Sequence, residues 1–355
     1  MTTVTQKRSY KITDFGQPLR EVVEPLRPLR GTEVLLRIVA SGVCHSDLHI
    51  SDGYFDLGGG NRMDLSKRSP LPHTPGHEIA GEVVALGPDA TGVRIGGRRL
   101  AFPWIGCGAC ARCAEGNEHL CLKPRSLGVV VDGGYADHVV VPHPRYLIDF
   151  AGVREDLACT YACSGLTAYS ALRKTLPLAP CDPLLIIGAG GVGLAGVRLA
   201  MPVTGVAPIV ADISESKRNA ALAAGAREAI DPAAADAVKS LIKATDGGVA
   251  AAVDFVGSQA TVEFGMGALR RGGKLVVVGL YGGAVTLSTP MLPLRAMTLM
   301  GSYVGSLDEL KALVKLAQGG KLGEIPIRAR PLSEVQAALD ELRAGRVVGR
   351  TVLKP

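Results

Sequence analysis

Four cysteines crowd one short segment: Cys107-Gly-Ala-Cys110-Ala-Arg-Cys113, followed by Cys121, a spacing of C-x2-C-x2-C-x7-C. Soft thiolates this close in sequence can complete a tetrahedral zinc shell, with Gly106, Gly108 and Gly116 letting the backbone wrap tightly around the ion. Similar spacings hold iron–sulfur clusters, and four unconnected buried thiols are the bland alternative. Four thiolates leave a zinc no open position, so a site here is expected to be structural rather than catalytic.

A second constellation is scattered. Cys44-His45-Ser46-Asp47 and Gly76-His77-Glu78 each place a borderline or soft ligand where a β run gives way to a loop. A catalytic zinc takes three protein ligands and keeps one position open, and Cys2His is a known set. Cys44 and His77 supply two ligands. The third is expected from Cys163, in Cys163-Ser-Gly-Leu-Thr-Ala-Tyr169, although Cys159 lies only four residues earlier and competes for the place. In a helix the two would share a face, so only one need reach the metal. His73 and His119 have no comparable surroundings, and His119 is expected to be exposed.

The third feature is Leu184-Leu-Ile-Ile-Gly188-Ala-Gly190-Gly191-Val192-Gly193, running into an apolar helical stretch that reaches Ala200. Strand, glycine turn and helix are the context in which glycines hold a dinucleotide. The first makes the turn, the second admits a pyrophosphate close to the backbone, and the last lets helix and strand pack at the helix N-terminus. Asp212 follows the next strand. A carboxylate there bonds the ribose hydroxyls and repels a 2′-phosphate, so NAD is favoured over NADP, with Lys217 and Arg218 nearby as a counterweight.

Elements able to position these groups can be read along the chain. Its 355 residues exceed what one core usually supports, which predicts two domains. Hydrophobic residues at 47% and charged residues at 20% exclude disorder. The first part reads as short β runs, Glu33 to Ala40, Ile79 to Leu86 and Tyr135 to Val141, punctuated by Gly and Pro. After Asp182 six strands alternate with Ala-rich helices: Leu184 to Ile187, Ile209 to Ala211, Glu228 to Ile230, Ala251 to Phe255, Lys274 to Val278 and Thr298 to Tyr303. That is the α/β pattern of a six-stranded, doubly wound Rossmann domain. A helix from Leu332 to Gly345 and a strand from Arg350 to Leu353 should rejoin the mostly β domain. The expected division is therefore 1–155 with 295–355, against 156–294. Gly53 to Pro72 reads as a long loop.

The net charge of +6 is dispersed, which excludes nucleic acid and acidic membranes as partners. The N-terminal residues lack an apolar signal region and no apolar run reaches membrane-spanning length, so a cytoplasmic protein is expected. Eight cysteines are too few for a disulfide scaffold and fit metal binding in a reducing compartment.

Taken together and in this order, these motifs resemble the zinc-containing medium-chain alcohol dehydrogenases over nearly the whole chain. The resemblance implies a GroES-like catalytic domain beside the Rossmann domain and two zinc ions per chain. Cys44, His77 and Cys163 would hold the catalytic zinc, and Cys107, Cys110, Cys113 and Cys121 the structural one. Glu78 matches a carboxylate that can approach the metal as ligands exchange. Asp47 matches the acid that orients the ligand His, Ser46 the hydroxyl that takes the alcohol proton, and His49 the imidazole that passes it on. Val253-Asp-Phe-Val256-Gly257, Gly279 and Val304 would line the nicotinamide side, joining Gly188, Gly190, Gly191, Val192, Gly193, Asp212 and Lys217 on the cofactor, and Arg350 would reach the pyrophosphate. The implied reaction is reversible hydride transfer between a small or aromatic primary or secondary alcohol, with its aldehyde or ketone, and NAD. Two alternatives are a polyol or sugar dehydrogenase of the same fold, whose third ligand is often a carboxylate, and an inactive zinc-stapled nucleotide binder. A homodimer or homotetramer is expected, with Thr298 to Val304 free to join sheets across a two-fold axis.

Overall fold

The computed structural model describes residues 4–355. Val34–Gly42 is the hub of the mostly β part. It pairs antiparallel with Glu78–Leu86 and with His138–Val141, and Glu78–Leu86 continues the sheet to Arg98–Ala101 and Leu147–Ile148. The end of the chain closes this sheet from the other side. Arg350–Lys354 lies antiparallel to the end of the hub strand, with Val352 opposite Gly42, and Ile327–Pro331 runs parallel to Arg350–Lys354. Seven strands result.

The cofactor sheet has the order Glu228–Ile230, Ile209–Ala211, Leu184–Ile187, Val249–Asp254, Leu269–Val277, Thr298–Gly301, and every pairing is parallel. Its inner strands Leu184–Ile187, Ile209–Ala211 and Val249–Asp254 are buried along their whole length and almost wholly apolar, because both faces are covered there. Leu184 and Ile186 join the core under the helices Leu166–Thr175 and Gly191–Thr204, while Leu185 and Ile187 join the core under Gln259–Ala268. This is the two-residue period of a strand. Burial at such positions contributes about 1.5–3 kcal/mol per side chain. Strand order reverses between Leu184–Ile187 and Val249–Asp254, which opens a crevice at their carboxyl ends, where the glycine turn sits.

The expected segments need four corrections. Gly53 to Pro72 is not plain loop, since Tyr54–Gly58 and Asn61–Asp64 form a hairpin. Its turn is built from Gly58, Gly59 and Gly60, all at positive φ. The ribbon packs on the body through Phe55 and Gly58 but leaves most of its side chains exposed, so it carries no apolar alternation to read. The cut at 294/295 would sever Thr298–Gly301 from its sheet, and Leu307–Gln318 still packs on Leu166–Thr175 of the cofactor unit. Two strands are shorter than expected, ending at Gly301 and starting at His138. The tail helix is a short 3-10 turn, Leu332–Glu334, leading into Val335–Arg343.

Between helices Glu155–Thr160 and Leu166–Thr175 lies a single π turn, Tyr161–Gly165. The first helix packs on the hub strand and on Glu78–Leu86, the second on the cofactor sheet and on Gly191–Thr204. The π turn is thus the place where the chain passes from one unit to the other.

Candidate metal centres and cofactor crevice

Cys44 caps the helix His45–Asp52. Asp47, the third residue of that helix, returns its carboxylate to the Cys44 backbone N–H at 2.9 Å, so one short motif both starts the helix and fixes the thiol. His77 immediately precedes Glu78–Leu86. Gly76 before it has φ +91°, and a Cβ there would lie 2.5 Å from the Tyr135 ring, so only glycine allows this approach. Cys163 sits in the π turn, a feature common at functional sites. Trp104 Nε1–H donates to the Ala162 carbonyl at 2.9 Å and holds that turn in place.

These three segments bring the Cys44 thiol, a His77 ring nitrogen and the Cys163 thiol within 4.8 Å of one another, and all three residues are buried. The two thiols are 4.0 Å apart. His77 Nδ1 faces Asp47 Oδ1 at 3.1 Å, whereas its Nε2 is buried with no hydrogen-bond partner. A buried ring nitrogen left unpaired beside two thiols fits a metal ion, because otherwise its desolvation would be uncompensated. A hydrogen bond from Cys163 lowers the Cys44 thiol, while that same bond and burial raise Cys163. Cys159 does not join them. Its thiol donates to the Asp156 carbonyl at 3.3 Å, and the π turn breaks the helical register that would have put it on the same face as Cys163.

Glu78 is directed elsewhere. Its carboxylate pairs with Arg350 and accepts the Ser164 N–H at 3.2 Å, and it fills the space a Gly42 side chain would need. Burial raises it to about 7, with Arg350 opposing. Arg350 is accordingly occupied by Glu78, with its side chain lying across Gly191 at the start of the cofactor helix. It is thus poised between the metal ligands and the glycine turn. Ser46 and His49 lie on the helix that Cys44 caps, both part-buried, and the His49 ring packs 4.8 Å from that of Phe55 on the hairpin. Burial lowers the His49 imidazolium, leaving the ring neutral at neutral pH.

The four-cysteine loop also gathers its thiols within 4.8 Å. Cys110 lies 3.5 Å from Cys113 and 3.7 Å from Cys121, and Cys107 4.0 Å from Cys113. The backbone N–H groups of Cys107 and Lys123 both point at Cys121 Sγ from 3.3 Å. Gly106 is obligatory, since a Cβ would stand 2.4 Å from Cys113 Sγ. Backbone N–H groups of Ala109 and Cys110 hold Cys107 down at about 6, whereas burial pushes Cys113 up to about 12. Four thiolates so close need a cation to ionise together. Buried Glu118 braces the loop, accepting from Gly106 N–H at 3.0 Å and Tyr146 O–H at 2.7 Å and pairing with Arg145. His119 is half-buried rather than exposed.

At the crevice Gly188 has φ +88°, and a Cβ at Gly193 would fall 1.8 Å from the Gly188 carbonyl oxygen, so these two glycines seal strand to helix. Gly190 faces open space, with no protein atom within 4 Å of its would-be Cβ. Val192 is part-buried one residue on. Asp212, just past its strand, accepts from Ala189 N–H at 2.7 Å and Ser214 N–H at 2.8 Å, which ties it to the turn. Lys217 is part-buried on the helix that follows, and Arg218 donates to the Asp212 carbonyl at 2.7 Å. The Val256 N–H donates to Asp254 Oδ1 at 2.8 Å, and Gly279 packs backbone to backbone on Val256. Val304 is buried at φ +38°, a strained conformation for a β-branched residue and one that collects at functional sites. Rings bridge from here to the metal ligands: Tyr303 lies edge-on to Trp104 at 5.9 Å, and Trp104 lies 5.3 Å from His77.

Tyr135, Trp104 and Glu118 were missed by sequence reasoning. Tyr135 and Trp104 act across long gaps in the chain and belong to no motif, whereas Glu118 lies inside the four-cysteine segment but bonds Tyr146 28 residues on.

Comparison with known proteins adds the following. Residues 30–150 match the alcohol dehydrogenase GroES-like domain, and residues 191–319 the zinc-binding dehydrogenase family. The chain is 36% identical over 350 residues to an NAD-dependent alcohol dehydrogenase of Sulfurisphaera tokodaii, covering 98% of this chain and 100% of that one. It is 36% identical over 352 residues to the enzyme of the same description from Saccharolobus solfataricus, with coverages of 98% and 100%. Among solved structures, the alcohol dehydrogenase of the hyperthermophilic archaeon Aeropyrum pernix superposes with a TM-score of 0.87 at 32% identity, covering 98% and 100% of the two chains.

Proposed function

This chain belongs to the zinc-containing medium-chain alcohol dehydrogenases, and from that premise we propose how its two cysteine-rich sites divide the work. It is an NAD-dependent oxidoreductase acting on alcohols. The finer reading is that each chain carries two zinc ions, a catalytic one held by Cys44, His77 and Cys163 and a structural one held by Cys107, Cys110, Cys113 and Cys121. The observation that carries it is the unpaired, buried His77 Nε2 beside two thiols.

When bound, zinc supplies a Lewis acid that favours the deprotonated form of the alcohol, and NAD supplies the hydride acceptor. The protein's own groups orient the substrate and move the proton. Ser46 takes the alcohol proton, and His49, kept neutral by burial, accepts it and passes it outward. Asp47 holds the His77 ring by Nδ1, which leaves Nε2 as the ligand atom. Gly188, Gly190, Gly191, Val192 and Gly193 present the helix N-terminus to the pyrophosphate, with Arg350 close by and Asp212 on the ribose. Lys217 lies beside that ribose site. Val256, Gly279 and Val304 form the nicotinamide side. The rings of Trp104, Tyr303 and Phe55, close to His77 and His49, offer an aromatic lining that would favour small or aromatic primary and secondary alcohols over polyols.

A symmetric dimer or tetramer is proposed through the exposed edge strand Thr298–Gly301, near which Leu299, Leu294 and Tyr281 are exposed. No helix among the described residues is long and apolar enough to cross a membrane. Eight unbridged cysteines favour a reducing cytoplasm.

The test is NADH formation from NAD with a panel of simple, aromatic and polyhydroxylated alcohols, before and after chelation. Oxidation of simple or aromatic alcohols that disappears with the metal supports this reading. Turnover of polyols alone, or turnover that survives complete metal removal, contradicts it.

A further inference from the structure

Asp47 is fully buried, and both of its carboxylate oxygens are doubly engaged. Oδ1 accepts the Gly76 N–H at 3.2 Å and faces His77 Nδ1 at 3.1 Å; Oδ2 accepts the Cys44 N–H at 2.9 Å and the Tyr135 O–H at 2.7 Å. A carboxylate has about four acceptor sites, and all four are filled here. Three of the donors are the ligand His and the backbone beside the two ligands, Cys44 and His77. The fourth is a tyrosine 88 residues away from Asp47, on the approach to the strand His138–Val141. Tyr135 is itself wholly buried, and its ring passes under Gly76 at a distance that only glycine permits.

We propose that Tyr135 is a positioning residue of the catalytic metal centre: its hydroxyl locks the Asp47 carboxylate, which in turn orients the His77 ring. This rests on the reading that Cys44, His77 and Cys163 hold a metal. The torsion that turns a carboxylate about its Cβ–Cγ bond is soft and two-fold, so a carboxylate is held in one plane only by its partners. Without the Tyr135 hydroxyl, Oδ2 keeps a single donor, at a depth where water cannot replace the other. The carboxylate then rocks, the His77 ring follows, and ligand geometry loosens with no cavity and no change of charge. Asp47, one hydrogen bond from the ligand His77, is the kind of partner whose loss typically alters metal affinity about 10–100-fold, and Tyr135, one bond further out, should act near the lower end of that range.

The test compares wild type, Tyr135→Phe, Asp47→Asn and the double variant, each with cobalt at the catalytic site. The readouts are the cobalt absorption spectrum without substrate and the rate of cobalt loss to a chelator. Phe fills the same space, so Y135F should fold, retain the structural zinc and lose the catalytic metal about tenfold faster with an altered spectrum. In the Asp47→Asn background the same change should add less than twofold, because the hydroxyl acts through Asp47. Tyr10→Phe, which removes a tyrosine–carboxylate bond to Glu21 at 2.8 Å from a direct neighbour of Tyr135 while leaving all four Asp47 contacts in place, should change neither readout. Wild-type spectrum and release rate in Y135F, with or without a fall in melting temperature, would overturn the proposal, as would an equal effect in the Asp47→Asn background. If the wild type bound metal only at the cysteine loop, the underlying reading itself would fall.

Discussion

Gly190 and Gly193 stand three residues apart in one turn, yet substituting them should separate cofactor binding from folding. At Gly193 an added Cβ meets the Gly188 carbonyl oxygen at 1.8 Å, against the 3.4 Å at which ordinary contact begins. Backbone opposes backbone, so no side chain can yield. Strand end and helix start must part by about 1.6 Å, and overpacking of this kind costs about 1–3 kcal/mol. The same displacement moves the N–H groups that face the pyrophosphate, and a shift of about 1 Å in a positioned group can cost about 100-fold. Gly190 is the opposite case. It has φ −71° and ψ −167°, allowed for any residue, and a Cβ there meets nothing within 4 Å. Gly190→Ala should leave the melting temperature close to that of wild type, because the ~0.4–1 kcal/mol such replacements give in a compatible conformation is offset by a similar loss on replacing a glycine at the helix N-cap. It should nonetheless weaken NADH binding at least about tenfold, about 1.4 kcal/mol, since the methyl group occupies the cofactor's side of the turn. Trp104, the sole tryptophan, lies beside His77, and its emission overlaps NADH absorption, so quenching gives the affinity directly. A Gly193→Ala variant should lose both stability and affinity. Unchanged NADH affinity in Gly190→Ala, or wild-type stability in Gly193→Ala, would refute the assignment of the two glycines.

Three further outcomes are expected. Burial alone would raise the Asp132 carboxyl, but Lys7, the Thr74 N–H and Lys11 outweigh it and hold the group at about 2, below its ordinary 3.8. Its stabilising effect is therefore present above about pH 4 and is lost as pH falls towards 2. Because the side chain is 37% exposed, Asp132→Asn should be less stable than wild type at pH 7 by no more than about 1 kcal/mol, a gap that closes on acidification in denaturant titrations. Cys113→Ser should lose one zinc per chain and melt at lower temperature while keeping the metal at Cys44, read by metal analysis beside calorimetry. Asp212→Asn should raise the Michaelis constant for NAD about tenfold and narrow the preference over NADP, measured as the ratio of kcat/KM values for the two cofactors.

Much of the fold is written locally. Leu184–Ile187 and Ile209–Ala211 are found where the sequence puts them, because buried parallel strands are short apolar runs bounded by turns, and the more exposed edge strand Glu228–Ile230 follows from the regular strand–helix alternation. The cysteine loop is legible for the same reason, all four thiols lying within fifteen residues. What stays hidden depends on distant partners. The hairpin at Tyr54–Asp64 carries no apolar period because little of it is buried, and the π turn at Tyr161–Gly165 arises where the chain crosses between units. Glu78 could be read as a residue near the metal, but its pairing with Arg350 spans 272 residues. The Tyr135 hydroxyl is likewise invisible in a segment that reads only as an apolar strand.

The claim on which everything else depends is that the catalytic metal rests on Cys44, His77 and Cys163. Metal content per chain in wild type, Cys163→Ser and Cys159→Ser, measured on folded protein of equal secondary structure, tests it directly. Two zinc ions in wild type and in Cys159→Ser, against about one with activity lost in Cys163→Ser, is the predicted result. Loss of the second zinc in Cys159→Ser with its retention in Cys163→Ser, or a single zinc in the wild type, would contradict it.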